Sequence, residues 1–72
     1  MPNRTYTVIY ERAEDGGYYA HIPALDVTTE GDILKQAKAM AHDAIENTLA
    51  CLQELKLPFP KEIATEKVGV GG

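Results

Sequence analysis

The chain has 72 residues, a net charge of −4 and a single cysteine. A chain this short buries only about 60% of the surface that it exposes when unfolded, and the lone Cys51 excludes an intrachain disulfide. We therefore expect one domain, residues 1–72, that gains stability by self-association. The chain has seven Lys and Arg against eleven Asp and Glu. The basic residues form no cluster, which argues against direct nucleic-acid binding.

The acidic balance suits a basic protein partner, or it simply keeps a small protein soluble. No apolar run reaches the ~20 residues of a membrane span, and the polar first four residues lead into no signal-peptide segment. We therefore expect a soluble, cytoplasmic protein without membrane association.

Two short segments of alternating polarity, residues 5–11 and 18–23, predict the first two strands. Their apolar sides hold Tyr6, Val8 and Tyr10 in the first strand and Tyr18, Ala20 and Ile22 in the second. Residues 13–16 have turn chemistry. Pairing Arg12 with Gly16 sets Tyr10 opposite Tyr18 and leaves both apolar sets on one side of the hairpin.

A third strand and a helix follow. Pro23 ends the second strand because it has no N–H to donate, and residues 26–30 predict a short third strand. Asp32 is the predicted N-cap of a helix from Ile33 to Leu55. One stripe of this helix is apolar and consists of Leu34, Ala37, Ala41, Ala44, Ile45, Thr48, Leu49, Leu52 and Leu55. The order β-β-β-α predicts an α+β fold, with a three-stranded antiparallel sheet and the helix on one face.

The C-terminal part is less regular. The segment Leu57-Pro58-Phe59-Pro60 stops the helix, and Phe59 is expected to pack back on the core. Residues 66–70 are a candidate fourth, edge strand; the alternative is a flexible tail over residues 61–72, whose end is rich in glycine.

Catalytic chemistry finds little support in these residues. A two-metal site needs several converging carboxylates, but Glu11 lies at the end of its strand and Asp32 is better used as a cap. His21 and His42 have no Ser, Cys or acid at a spacing that would make a nucleophile–base pair. Cys51 is expected to pack as a small hydrophobe. We predict no catalytic residue, metal or cofactor, and a residual hydrolytic enzyme remains the third-ranked alternative.

One surface patch is a candidate for partner contact. Thr7, Ile9, Tyr19 and His21 are predicted to share the sheet face away from the helix. Tyrosine combines an apolar body with a polar tip and is frequent at interfaces. The alternative is an ordinary solvated face with scattered apolar residues.

The order of short motifs resembles that of the HicB-like antitoxins. The motifs are D-G-G-Y, P-x-L, G-D and an alanine-bearing helix, carried here by Asp15, Gly16, Gly17, Tyr18, Pro23, Leu25, Gly31, Asp32, Ala37 and Ala44. The resemblance runs from about residue 4 to residue 60. It implies a β-β-β-α domain similar to a truncated ribonuclease-H-like unit without catalytic carboxylates.

Members of that family bind a small basic ribonuclease toxin of the HicA type, cover its active site, and assemble as dimers or larger oligomers. This chain departs from the family after Leu25, where the turn is one residue shorter, and it ends near the point where many members begin a DNA-binding domain. The resemblance therefore implies a short, single-domain, non-catalytic antitoxin, and the autorepression of longer members is not carried over to this chain. The alternative is an orphan oligomeric or small-ligand-binding protein on the same scaffold.

Overall fold

The chain forms an antiparallel sheet followed by one long helix, and the computed structural model describes residues 4–71 of it. The elements are β1 (Ile9–Arg12), β2 (Tyr18–Ile22), a 3-10 helix (Pro23–Leu25), β3 (Val27–Gly31) and α1 (Leu34–Glu54). The strands lie in the order β1-β2-β3. The predicted α+β fold with β-β-β-α order is confirmed.

The hairpin between β1 and β2 keeps the predicted faces but not the predicted register. Tyr10 lies opposite Ala20 rather than Tyr18. The loop is closed by Ala13 and Gly17 rather than by Arg12 and Gly16: the Ala13 N–H donates to the Gly17 carbonyl at 2.7 Å, and Gly16 takes a φ of 98°. The three-residue loop therefore lies one residue further along the chain, with Gly16 inside it in the left-handed region, and this moves the pairing by two residues. Such a shift leaves every side chain on its predicted side, because side chains alternate with a period of two.

The first strand is shorter than predicted. Its ladder covers Ile9–Arg12 rather than residues 5–11. The reason lies in β2, which ends at Ile22 because Pro23 begins the 3-10 helix and turns the chain away. Residues before Val8 therefore have no β2 backbone left opposite them.

The third strand starts after a left-handed residue. Asp26 has a φ of 54° and donates its N–H to the Pro23 carbonyl at 3.2 Å, closing the turn before β3. Gly31, predicted as the turn out of the strand, is its last residue. A Cβ atom at Gly31 would lie 2.6 Å from the Ala37 backbone nitrogen. The strand and the first turn of α1 are therefore in backbone contact.

Helix α1 begins at Leu34, and the prediction that Asp32 caps it was wrong. Ile33 occupies the N-cap position without a side-chain hydrogen bond, and the Asp32 backbone N–H donates to Gln36 Oε1 at 2.8 Å. The hydrogen bond is the reverse of the expected cap: the Gln36 side chain, inside the helix, accepts from the backbone N–H of Asp32, which precedes the helix.

The end of α1 also differs from expectation, because the stop comes before the proline-rich segment. Lys56 adopts a φ of 57° and donates its N–H to Gln53 O at 3.1 Å, while the Leu57 N–H reaches Leu52 O at 2.9 Å. This is a Schellman motif. A lysine stands where glycine is usual, which is why the sequence pattern did not reveal it.

The core lies between α1 and the two strands β2 and β3. Ala20, Ile22, Ala37 and Ala41 are at most 1% exposed. A shell of half-buried residues surrounds them: Tyr6, Val8, Tyr18, Leu25, Val27 and Ile45. The predicted apolar stripe is confirmed in the middle of the helix, but its ends, Leu34 and Leu55, are exposed. The Thr29 hydroxyl, on β3, is buried and finds no hydrogen-bond partner within residues 4–71.

The C-terminal segment packs against the residues that precede β1. The Tyr6 hydroxyl donates to Pro60 O at 2.6 Å, and Thr7 Oγ1 lies 2.8 Å from Glu62 Oε2. The Arg4 guanidinium lies 4.7 Å from the centroid of the half-buried Phe59 ring, in cation–π geometry.

The remaining tail forms no fourth strand. Residues 66–70, the candidate edge strand, are exposed and irregular, with Val68 and Val70 at 70% and 89% exposure. They have no ladder partner because the chain leaves the sheet after Glu62. Residues 1–3, which belong to the polar start considered above, and residue 72 of the predicted tail lie outside the described part. Within residues 4–71, no helix has both the length and the apolar character needed to cross a membrane.

Candidate functional site

The sheet face away from α1, here called the outer face, is built from two rows of side chains that cross all three strands. One row joins Ile9, His21 and Thr28, and the other joins Glu11, Tyr19 and Glu30. Alternation along each strand sends these side chains away from the buried Ala20 and Ile22. Because the helix covers only the inner face, both rows face solvent.

The first row has an apolar edge and a polar centre. Ile9 is 42% exposed at the edge of the sheet. His21 is half-buried, and its Nδ1 lies 2.9 Å from Thr28 Oγ1. This hydrogen bond orients the imidazole ring along the sheet. His21 is therefore linked to the neighbouring strand through one of its ring nitrogens.

The second row sets an aromatic ring between two carboxylates. Tyr19 is 44% exposed, and Glu11 and Glu30 lie directly opposite it on the two neighbouring strands. Directly opposed residues have Cβ atoms about 4.5–5.5 Å apart. None of the six strand positions in the two rows is Lys or Arg. The centre of the outer face therefore combines negative charge with an exposed aromatic surface.

Three of the four predicted contact residues lie on this face. Ile9, Tyr19 and His21 are members of the two rows, while Thr7 lies two residues before the ladder and is engaged by Glu62. Whether any of them contacts a partner stays a prediction. Sequence reasoning missed Glu11, Glu30 and Thr28 as neighbours, because only the strand register reveals which residues stand opposite Tyr19 and His21.

The motif residues shape one end of the sheet. Asp15 Oδ1 accepts the Gly17 N–H at 3.2 Å, which braces the hairpin loop. A cavity of about 500 Å³ opens between this loop, the end of β3 and the start of α1; it is lined by Ala13, Asp15, Gly16, Gly17, Tyr18, Tyr19, Glu30, Gly31, Asp32 and Gln36. The D-G-G-Y and G-D motifs therefore meet in space.

The other motif residues are structural. Pro23 opens the 3-10 helix, and Leu25 packs against the core. Ala37 is buried and Ala44 is half-buried on the inner side of α1.

The titratable side chains weighed for catalysis are dispersed. His42 lies 3.4 Å from Glu46 in an exposed pair on α1, whereas His21 is on the outer face of the sheet. Cys51 is exposed, so the expectation that it packs as a small hydrophobe was wrong; it falls on the outer side of α1, beside the buried stripe. Among residues 4–71, no group of three or more His, Cys, Asp or Glu side chains is placed to hold a metal ion.

The molecule is thus a small β-β-β-α protein with an open sheet face, and comparison with known proteins places it in a family. The chain is 34% identical over 64 residues to a UPF0150 protein of Synechocystis sp., a match that covers 86% of this chain and 89% of that protein. The chain belongs to the UPF0150 family, which is HicB-like. No protein-family model matches the chain, and no solved structure does either.

Proposed function

We propose that the chain is a non-catalytic protein-binding module of the antitoxin type, which binds a small basic ribonuclease toxin through the outer face and covers its active site. The observation that carries the proposal is the row Glu11–Tyr19–Glu30, in which an exposed ring stands between two carboxylates. Membership of a HicB-like family supports the same assignment.

The row has the chemistry that recognises basic side chains. A carboxylate accepts two parallel hydrogen bonds from an arginine guanidinium, and an aromatic ring beside it attracts the cation through its π face. A basic ribonuclease gains affinity for RNA from Lys and Arg side chains that neutralise phosphates. A surface with acidic groups around an aromatic anchor would compete for those same cations and exclude the RNA.

The net charge of the whole chain acts in the same direction. A charge of −4 attracts a basic protein over distances up to about 8–10 Å at physiological salt and raises the rate of encounter. The uncharged members of the outer face, Ile9 and Tyr19, then supply the desolvated contact from which most of the binding free energy comes.

Co-expression with a basic protein encoded beside this gene tests the proposal. We expect the chain to restore growth and to block RNA cleavage by the purified partner. Tyr19→Ala should weaken binding by about 2 kcal/mol, roughly 30-fold, because it removes the aromatic anchor. A toxin that is equally lethal with and without this chain would contradict neutralisation.

A charge-matched pair of variants separates the outer face from general attraction. The double variant Glu11→Gln, Glu30→Gln removes two charges from the row, and Glu46→Gln, Glu54→Gln removes two from α1. We expect the first to weaken binding at least about tenfold and to flatten its salt dependence, and the second to change it little. Equal losses from both pairs would assign the attraction to net charge alone.

A further inference from the structure

The outer strand β1 is an open edge. All four of its residues are exposed, and two are large and apolar: Ile9, at 42% exposure, faces the outer side, and Tyr10, at 37%, faces the inner side. Tyr10 lies on the helix side of the sheet, but α1 packs over β2 and β3, and more than a third of the Tyr10 surface stays exposed. Apolar surface on both faces of an unpaired strand favours the addition of another strand.

The backbone of β1 has unused hydrogen-bonding groups at known positions. The Ala13 N–H bonds to the Gly17 carbonyl, and bonded positions alternate along an antiparallel pair. Ile9 and Glu11 therefore direct their backbone groups toward β2. Tyr10 and Arg12 direct theirs away from the sheet, where no strand lies within residues 4–71.

The opposite edge of the sheet is different in character. The outward residues along β3 are polar, namely Thr28 and Glu30, and Asp26 precedes them in a left-handed conformation. The inner side of β3 is already packed against α1. Of the two edges, β1 is the one with exposed apolar side chains on both faces.

We propose that β1 pairs antiparallel with β1 of a second copy about a twofold axis through Tyr10, giving a six-stranded sheet with both helices on the same side. This inference does not depend on the proposed function. Val8 then faces Arg12 of the second copy, and Ile9 faces Glu11. About six backbone hydrogen bonds can form between Val8, Tyr10 and Arg12 and their counterparts.

Repulsion between like charges disfavours the other symmetric registers of β1. A twofold axis perpendicular to the sheet sets one residue of β1 opposite itself. An axis at Glu11 or at Arg12 opposes like charges, which is unfavourable. An axis at Ile9 brings Glu11 opposite Thr7 of the second copy, whose hydroxyl already binds the Glu62 carboxylate.

The axis at Tyr10 instead creates favourable contacts. The two Tyr10 rings meet on the inner side, in the gap between the two helices, where aromatic pairs gain from stacking as well as burial. Arg12 lies diagonal to Tyr10 of the second copy, within the reach of a long side chain, and can stack on its ring. The pairing is also self-limiting, because an isologous contact uses both β1 edges and leaves none for growth.

Sedimentation equilibrium of the full chain and of two matched variants tests the proposal. Tyr10→Lys places two like charges on the axis and should weaken dimerisation roughly tenfold or more. Met40→Lys makes the same kind of change at an exposed hydrophobe on α1 and should leave the dimer intact. A wild-type chain that sediments as a monomer throughout the micromolar range would overturn the proposal, as would a Tyr10→Lys variant that dimerises like wild type.

Disulfide trapping gives a second measurement that does not depend on how well Tyr10→Lys folds. In a Cys51→Ser background, Tyr10→Cys should crosslink under mild oxidation, since opposed Cα atoms about 5.5 Å apart fall within disulfide range. Thr28→Cys, on the β3 edge, should stay uncrosslinked. Crosslinking of Thr28→Cys without that of Tyr10→Cys would assign the contact to the wrong edge and refute the proposal.

Discussion

The sheet has a covered half and an open half, and the two are stabilised in different ways. In the covered half, β2 and β3 pack under α1, and every fully buried residue identified in residues 4–71 lies in β2 or in α1. In the open half, β1 is exposed throughout, and the residues before it are joined to the C-terminal segment by two side-chain hydrogen bonds. The difference teaches that the buried core of this small molecule is concentrated in one half, while the other half leaves apolar side chains exposed.

The strongest test of this comparison is the substitution Ile22→Ala. Ile22 is the largest fully buried side chain, and removing it should lower the free energy of unfolding by about 2–5 kcal/mol. A single core of this size supplies only roughly 3–5 kcal/mol, so most of the stability would be lost. Urea unfolding followed by circular dichroism measures the loss. The control is Ile9→Ala in β1; a similar loss there would contradict the distinction between the two halves.

A backbone contact in the covered half gives the next largest effect. In Gly31→Ala the new Cβ would lie 2.6 Å from the Ala37 nitrogen, so the first turn of α1 has to move. We expect destabilisation of about 1–3 kcal/mol, measured in the same unfolding experiment. Gly69→Ala, where a Cβ meets no atom within 4 Å, should change little; equal effects would show that the close approach has no energetic weight.

The substitution Thr29→Val, also in the covered half, is expected to raise the stability of the protein, whereas the two substitutions above lower it. The Thr29 hydroxyl is buried without a partner, and a buried unsatisfied group costs about 1–3 kcal/mol. Replacing it with a side chain of nearly the same shape should therefore stabilise the protein by about 1 kcal/mol. Thermal unfolding would detect the gain as a higher midpoint. A lower midpoint would mean that the hydroxyl makes a hydrogen bond that the structure does not contain.

The smallest expected effect is in the open half. Tyr6→Phe deletes the hydroxyl that bonds to Pro60 O and should cost about 0.5–1.5 kcal/mol. The cost is small because the Pro60 carbonyl, once released, can form a hydrogen bond with water. Hydrogen exchange of the residues around Pro60 should accelerate more than that of β2. Uniform acceleration would indicate that this tether supports the whole fold.

The sequence was sufficient for the architecture because that follows from side-chain periodicity. The alternation around Ala20 and Ile22 placed β2 with the correct faces, and the apolar stripe of α1 predicted a helix packed on one face of the sheet. The register was missed because it depends on how Gly16 closes the loop, and a two-residue shift leaves the polarity pattern unchanged. The end of α1 was missed because Lys56 adopts a conformation that glycine usually signals.

The candidate site was predicted less completely than the fold. Tyr19 and His21 could be assigned to the outer face from alternation alone. Glu11 and Glu30 could not be recognised as neighbours of Tyr19, since that requires the pairing of three strands at once. The contact of Thr7 with Glu62 joins residues 55 positions apart, and no local pattern reports such a separation.

The alanine-rich contact between α1 and the sheet has a thermodynamic consequence. Of the four buried residues found between residues 4 and 71, three are alanines, which lose almost no rotamer freedom on folding but also remove little apolar area from water. The heat-capacity change of unfolding should therefore lie below the value of about 12–15 cal/mol/K per residue that is usual for globular proteins. The free energy of unfolding would then vary with temperature along a flatter curve, which calorimetry at several pH values would measure.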